Sequence, residues 1–106
     1  MTKAIPFLIL AAALEIGGDA AIRSGLVRSH WLWIVVGIVL LAAYGFAVNS
    51  TTAIDFGRLL GLYIAVFFVV SQVISAVVFG ERPSFGLLAG GALIVIGGIV
   101  ILVSDQ

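Results

Sequence analysis

AIPFLILAAALEIGGDAAI, residues 4–22, is an apolar run broken only by Glu15 and Asp19. A bilayer hydrocarbon core about 30 Å thick takes roughly 20 residues of helix to cross, so this run has the length of one span. The chain repeats it three times, over residues 31–48, 59–79 and 85–103, and none of these carries a charge. Within lipid, every backbone N–H and C=O must find its partner inside the segment, which makes each run helical despite its Val and Ile content. A transmembrane barrel would need lipid-facing and lumen-facing residues to alternate, and these runs do not alternate. The expected fold is therefore all-α, a single domain over residues 1–106 with four transmembrane helices joined by short polar connections. Those connections run from Arg23 to His30, from Asn49 through Thr51 and Thr52 to Arg58, and from Gly80 to Ser84.

Composition agrees with the spans. Of 106 residues, 63% are apolar and 9% charged, and the mean hydropathy is +1.35. A soluble domain carries far more charge than this. Five Lys and Arg balance five Asp and Glu, which leaves no basic surface for nucleic acid. There is no cysteine and only one histidine, His30, so disulfide, thiol and cysteine-ligated metal chemistry are excluded, and neither a metal nor a cofactor is expected. Lys3 followed by an apolar stretch and Ala11-Ala12-Ala13 has features of a signal peptide, but the apolar pattern resumes at Ile16 and continues to Ile22. The expected location is the cell (inner) membrane, in contact with lipid.

Orientation is nearly balanced. Four spans put Lys3 and Arg58 on one face, and Arg23, Arg28 and Arg82 on the other. By the positive-inside rule this bias places the termini outside, but a difference of one charge also suits a chain that inserts both ways.

Glu15 is the residue lipid should reject. It lies about 10 Å or more from either end of its run at 1.5 Å per residue. An ionised carboxylate at that depth costs at least about 2.5 kcal/mol, so it must face other helices or a wet cavity. A carboxyl there can hold a proton or, deprotonated, attract a cation. A protonated Glu that merely bonds a neighbouring helix is the plainer alternative. Ala11, Gly18 and Asp19 share its face, and the small residues admit close approach. Asp19 is either a second pocket carboxylate or the partner of Arg23, four residues on.

Other candidates are Tyr44 in the second run and Tyr63, Phe67, Ser71, Gln72 and Ser75 in the third. Tyr63, Phe67 and Ser71 recur at four-residue spacing and share a face. Aromatic rings beside a carboxylate suit a lipophilic cation, although aromatics in such helices also serve as packing or belt residues. Trp31 and Trp33 read as interface anchors. Gly90 and Gly97, like Gly91 and Gly98, are seven apart and form a smooth stripe on the last helix. Such a stripe serves either packing against the third helix or a dimer seam, and four helices this short enclose no pocket alone, which favours the dimer.

Taken together, Leu14-Glu15-Ile16-Gly17-Gly18, Tyr63 early in the third helix, Phe79-Gly80-Glu81-Arg82 and the glycine stripe with Leu93-Ile94-Val95-Ile96-Gly97 resemble the small multidrug resistance transporters of bacteria, in the drug/metabolite transporter superfamily. The resemblance spans the chain, and the segment from Gly57-Arg58 to Phe67 is most similar to the YnfA-like branch. It implies a dual-topology antiparallel homodimer that exchanges protons for small organic or lipophilic cations by alternating access. Glu15 would then be the shared proton and cation site, Tyr63 an aromatic wall, and Gly90 with Gly97 the dimer contact. The chain departs from the family in two places. Ile64-Ala65-Val66-Phe67 lacks the glycines usual after the third-helix aromatic, and Asp19 stands where a small or hydroxylated residue is usual. The expectation is a transporter, not an enzyme. Its rivals are a non-transporting membrane interaction subunit that binds through the stripe, and a carrier of a polar or lipid-linked metabolite whose head group Asp19 and Arg58 would read.

Overall fold

The computed structural model describes residues 2–50 and 53–104. After a short 3-10 turn at Thr2–Ala4, four helices follow: α1 (Ile5–Arg28), α2 (Trp31–Asn49), α3 (Phe56–Phe79) and α4 (Phe85–Ser104). Each is long and apolar enough to cross a membrane, and no strand occurs among the described residues. The all-α, four-span fold is as the sequence predicts. Thr51 and Thr52, in the connection between α2 and α3, lie outside the described residues.

Two helices overrun their apolar runs. α1 continues six residues past Ile22 to Arg28, so most of the expected connection from Arg23 to His30 is helical. α3 begins three residues earlier, at Phe56. The apolar run marks the depth of lipid, whereas a helix continues until something ends its hydrogen-bond ladder. In α1 that stop is Ser29, whose φ of 55° is left-handed, with the His30 N–H turned back onto the Gly25 carbonyl at 2.9 Å. Pro6 sits in the first turn of α1, where a missing N–H costs no helix bond. At α4 the Ser84 hydroxyl accepts the Leu87 N–H at 3.1 Å, an N-cap placed directly after Pro83.

The helices lie side by side in the order α2, α1, α3, α4. α1 packs against both α2 and α3, while α4 packs against α3. The layer measures 47 × 35 × 18 Å between Cα extremes. Its thin dimension is under two helix diameters, so the fold is a slab and not a closed bundle. The core lies between α1 and α3 and is built from Leu8, Ala11, Ala12 and Ile16 against Leu59, Leu62 and Tyr63, with Val48 closing it from α2.

Small residues set the spacing within the slab. A Cβ on Gly18 would lie 2.9 Å from the Gly37 carbonyl oxygen, and a Cβ on Gly37 would lie 2.6 Å from that of Gly18. Only glycine at both positions lets the α1 and α2 backbones approach this closely. The α4 stripe divides in two. Gly91 and Gly98 are buried against Phe68 and Ala65 of α3, whereas Gly90 and Gly97 are exposed with nothing within 4 Å of an added Cβ. The two readings of the stripe thus belong to different residues of it. The outer faces of α2 and α4 expose Val, Ile and Leu throughout, and Trp31 and Trp33 stand exposed at the start of α2, where a belt anchor belongs.

Candidate functional site

Glu15 sits half-buried at the middle of α1, beside the α1–α3 core. Periodicity aims it at α3: Leu8, Ala11 and Ala12 precede it on the packed side of the helix and Ile16 follows, all buried. Across the seam, Tyr63 is 4% exposed and donates its hydroxyl proton to Glu15 Oε1 at 2.7 Å. This is a short bond of the kind formed when an O–H meets a carboxyl oxygen away from bulk water.

Tyr63 is itself held from two sides. Tyr44 of α2 stacks on its ring with centroids 5.7 Å apart and planes 23° apart. Phe67, one turn along α3, meets it edge-on at 6.0 Å and 63°. These are the two arrangements that aromatic pairs prefer. Three helices therefore contribute to one cluster: the carboxyl from α1, a ring from α2 and two rings from α3. Chemically the cluster offers one exchangeable proton, one negative charge when that proton leaves, and ring faces that attract cations.

Among the residues singled out in the sequence, the structure gathers Glu15, Tyr44, Tyr63 and Phe67. Gln72 is elsewhere on α3. Its Nε2 reaches Ser71 Oγ at a long 3.4 Å, and Ser71 Oγ donates to the Phe68 carbonyl at 2.7 Å. Asp19 is exposed and forms no hydrogen bond or ion pair among the described residues. The Arg23 guanidinium instead lies over the Phe79 ring, 5.6 Å from its centroid. Gly90 and Gly97 face outward at the far side of α4. Asp55 and Arg58 form a 3.8 Å surface pair at the start of α3, more than half exposed and hence weak. No group of His, Cys, Asp and Glu among the described residues could hold a metal.

Sequence reasoning missed the contacts at the end of α3. Gly80 turns left-handed at φ 64°, which lets the Glu81 N–H reach the Ser75 carbonyl at 3.2 Å and the Ser75 hydroxyl donate to Glu81 Oε1 at 2.6 Å. The available signal was Gly80 itself, a glycine directly after a helical run.

No protein-family model and no solved structure matches the chain. Curated relatives do match. A UPF0060 membrane protein of Mycolicibacterium gilvum is 36% identical over 108 residues, covering 100% of this chain and 99% of that protein. One from Kineococcus radiotolerans is 41% identical, covering 92% of this chain and 90% of its own length. A third, from Rhodococcus jostii, is 35% identical over 100% of this chain and 98% of its own length. Matches of this extent, together with four spans of membrane length, make this a multi-pass membrane protein. The likeness to the YnfA-like branch holds at the level of the family, because the chain belongs to the UPF0060 membrane proteins, the YnfA group.

Proposed function

We propose that the protein is a proton-coupled antiporter that exports small organic or lipophilic cations, working as a homodimer by alternating access. The observation that carries this reading is the Tyr63–Glu15 hydrogen bond, a carboxyl at membrane depth held at 2.7 Å inside an aromatic cluster. In the protonated state Glu15 is neutral and tolerable to lipid. A cation arriving on the ring faces favours the ionised carboxylate, the proton leaves, and the cation takes its place. Release on the other side reverses the exchange. One carboxyl that holds one or the other couples the two flows without further machinery.

The shape of the slab supports the dimer. A layer 18 Å thick with a half-buried Glu15 supplies one wall of a cavity, and a second copy supplies the other. The open glycines Gly90 and Gly97 give α4 a smooth face for that second copy, and the balanced Lys and Arg tally suits an antiparallel, dual-topology pairing. The same open face is also the observation behind the rival reading, a non-transporting subunit that uses α4 to bind another membrane protein.

The test is cation transport in vesicles with an imposed pH gradient. Glu15→Gln keeps the size of the side chain and removes its exchangeable proton, so coupled transport should cease. Undiminished coupled transport in that variant overturns the reading.

A further inference from the structure

Beyond the aromatic cluster, α1 and α3 separate into a groove of about 540 Å³. Its inner end is Ile16, the residue next to Glu15. It then passes Asp19 and Ser71 to Arg23, Ser75, Phe79 and Glu81, with Leu26 and Val27 of α1 lining its last stretch about one turn beyond Arg23. Asp19 lies one helical turn from Glu15, so the groove runs from the level of the central carboxyl towards the polar end of the slab.

Two contacts hold its outer end. The Arg23 guanidinium of α1 lies over the Phe79 ring of α3 at 5.6 Å, which spans the groove from wall to wall. The Ser75–Glu81 bond at 2.6 Å, with the backbone bond of Glu81 to Ser75 at 3.2 Å, ties the turn after α3, just beyond Phe79, back onto that helix. Two carboxylates, Asp19 and Glu81, line the same groove, yet Arg23 forms an ion pair with neither among the described residues. The cation is thus held on an aromatic ring, an attraction weak enough at an exposed site to be broken and remade.

We propose that Arg23 and Phe79 form a gate across the outer end of this groove, positioned by the Ser75–Glu81 tie, and that the groove is the water path to Glu15 on that side of the membrane. In the closed state the guanidinium covers the groove. It opens when Arg23 leaves the ring for bulk water, exposing Ser71 and the inner end of the groove at Ile16. The proposal rests on the reading of Glu15 as the transport carboxylate for its purpose, but the gate can be tested without transport.

The chain has no cysteine, so Ser71→Cys creates a single thiol inside the gate and His30→Cys a single thiol outside it, on the same face. Labelling with a hydrophilic maleimide is measured in nanodiscs, where both faces are open to reagent. Adding Arg23→Gln or Phe79→Leu should speed labelling of the inner thiol by about two- to fivefold, the change expected from losing an exposed cation–π contact. The outer thiol should react at an unchanged rate. Arg23→Lys and Phe79→Trp retain a cation on a ring, so they should keep labelling slow. Equal rates with and without Arg23→Gln and Phe79→Leu overturn the gate, as does Phe79→Trp speeding labelling as much as Phe79→Leu. Adding Glu15→Gln to the labelled chains should leave these ratios intact, so a failed transport reading and a failed gate give different results.

Discussion

Glu15 and Asp19 lie one turn apart on α1, yet their surroundings share little. Glu15 is half-buried, accepts a 2.7 Å bond from a buried tyrosine and lies beside a cluster of three rings. Asp19 is exposed, bonds nothing among the described residues and looks into a groove that also holds a guanidinium. Six Å of helix rise separates a carboxyl bonded across the helix seam from one that faces an open groove. What distinguishes them is opposition across the seam: Glu15 meets α3 where the two helices touch, and Asp19 meets it where they part.

The comparison can be broken by experiment. The largest effect belongs to Glu15→Gln, which should reduce proton-coupled cation transport in vesicles to background. Tyr63→Phe keeps the ring stack and removes only the hydroxyl. Loss of a hydrogen bond to a charged group, worth about 1.5–3 kcal/mol, should lower cation affinity by about tenfold or more, read by equilibrium binding to solubilised protein. Asp19→Asn should change affinity by about twofold at most, as for an exposed group with no partner. If Asp19→Asn rather than Tyr63→Phe proves the damaging change, the roles assigned to the two carboxyls are reversed.

The α4 stripe offers a parallel contrast. Gly98→Leu drives a side chain into Ala65 of α3 and should destabilise the fold by about 1–3 kcal/mol, seen as a lower unfolding midpoint in detergent. Gly97→Leu, one residue away, meets nothing within 4 Å, so the fold should keep its midpoint while the dimer dissociates on size-exclusion chromatography. A Gly97→Leu chain that still runs as a dimer places the seam elsewhere.

How much of this was legible in the sequence depended on whether the signal was local. Four runs of membrane length fixed the helices, because lipid leaves the backbone no alternative. Glu15 was legible as a charge in the wrong solvent, and Tyr63 and Phe67 as aromatics on one face. Tyr44 was visible only as an isolated ring, since nothing in α2 says which way it turns until Gly37 meets Gly18. The end of α1 and the start of α3 were misplaced because hydropathy reports the lipid and not the hydrogen-bond ladder. The four-residue spacing of Asp19 and Arg23 left an ion pair as one of two readings of Asp19, whereas the structure lays Arg23 on Phe79, 56 positions later in the chain. No spacing rule within one helix reports a ring arriving from another. The double face of the glycine stripe was equally hidden: two sets of glycines seven apart look alike in sequence, and only the position of α3 turns one set inward.

The central claim is that Glu15 holds either a proton or a cation. Proton release on addition of an aromatic cation such as tetraphenylphosphonium, measured in weakly buffered solution with solubilised protein, tests it most directly. The account predicts that binding expels protons in proportion to the cation bound, and that Glu15→Gln expels none. Cation binding without proton release, or the same release from Glu15→Gln, would contradict it.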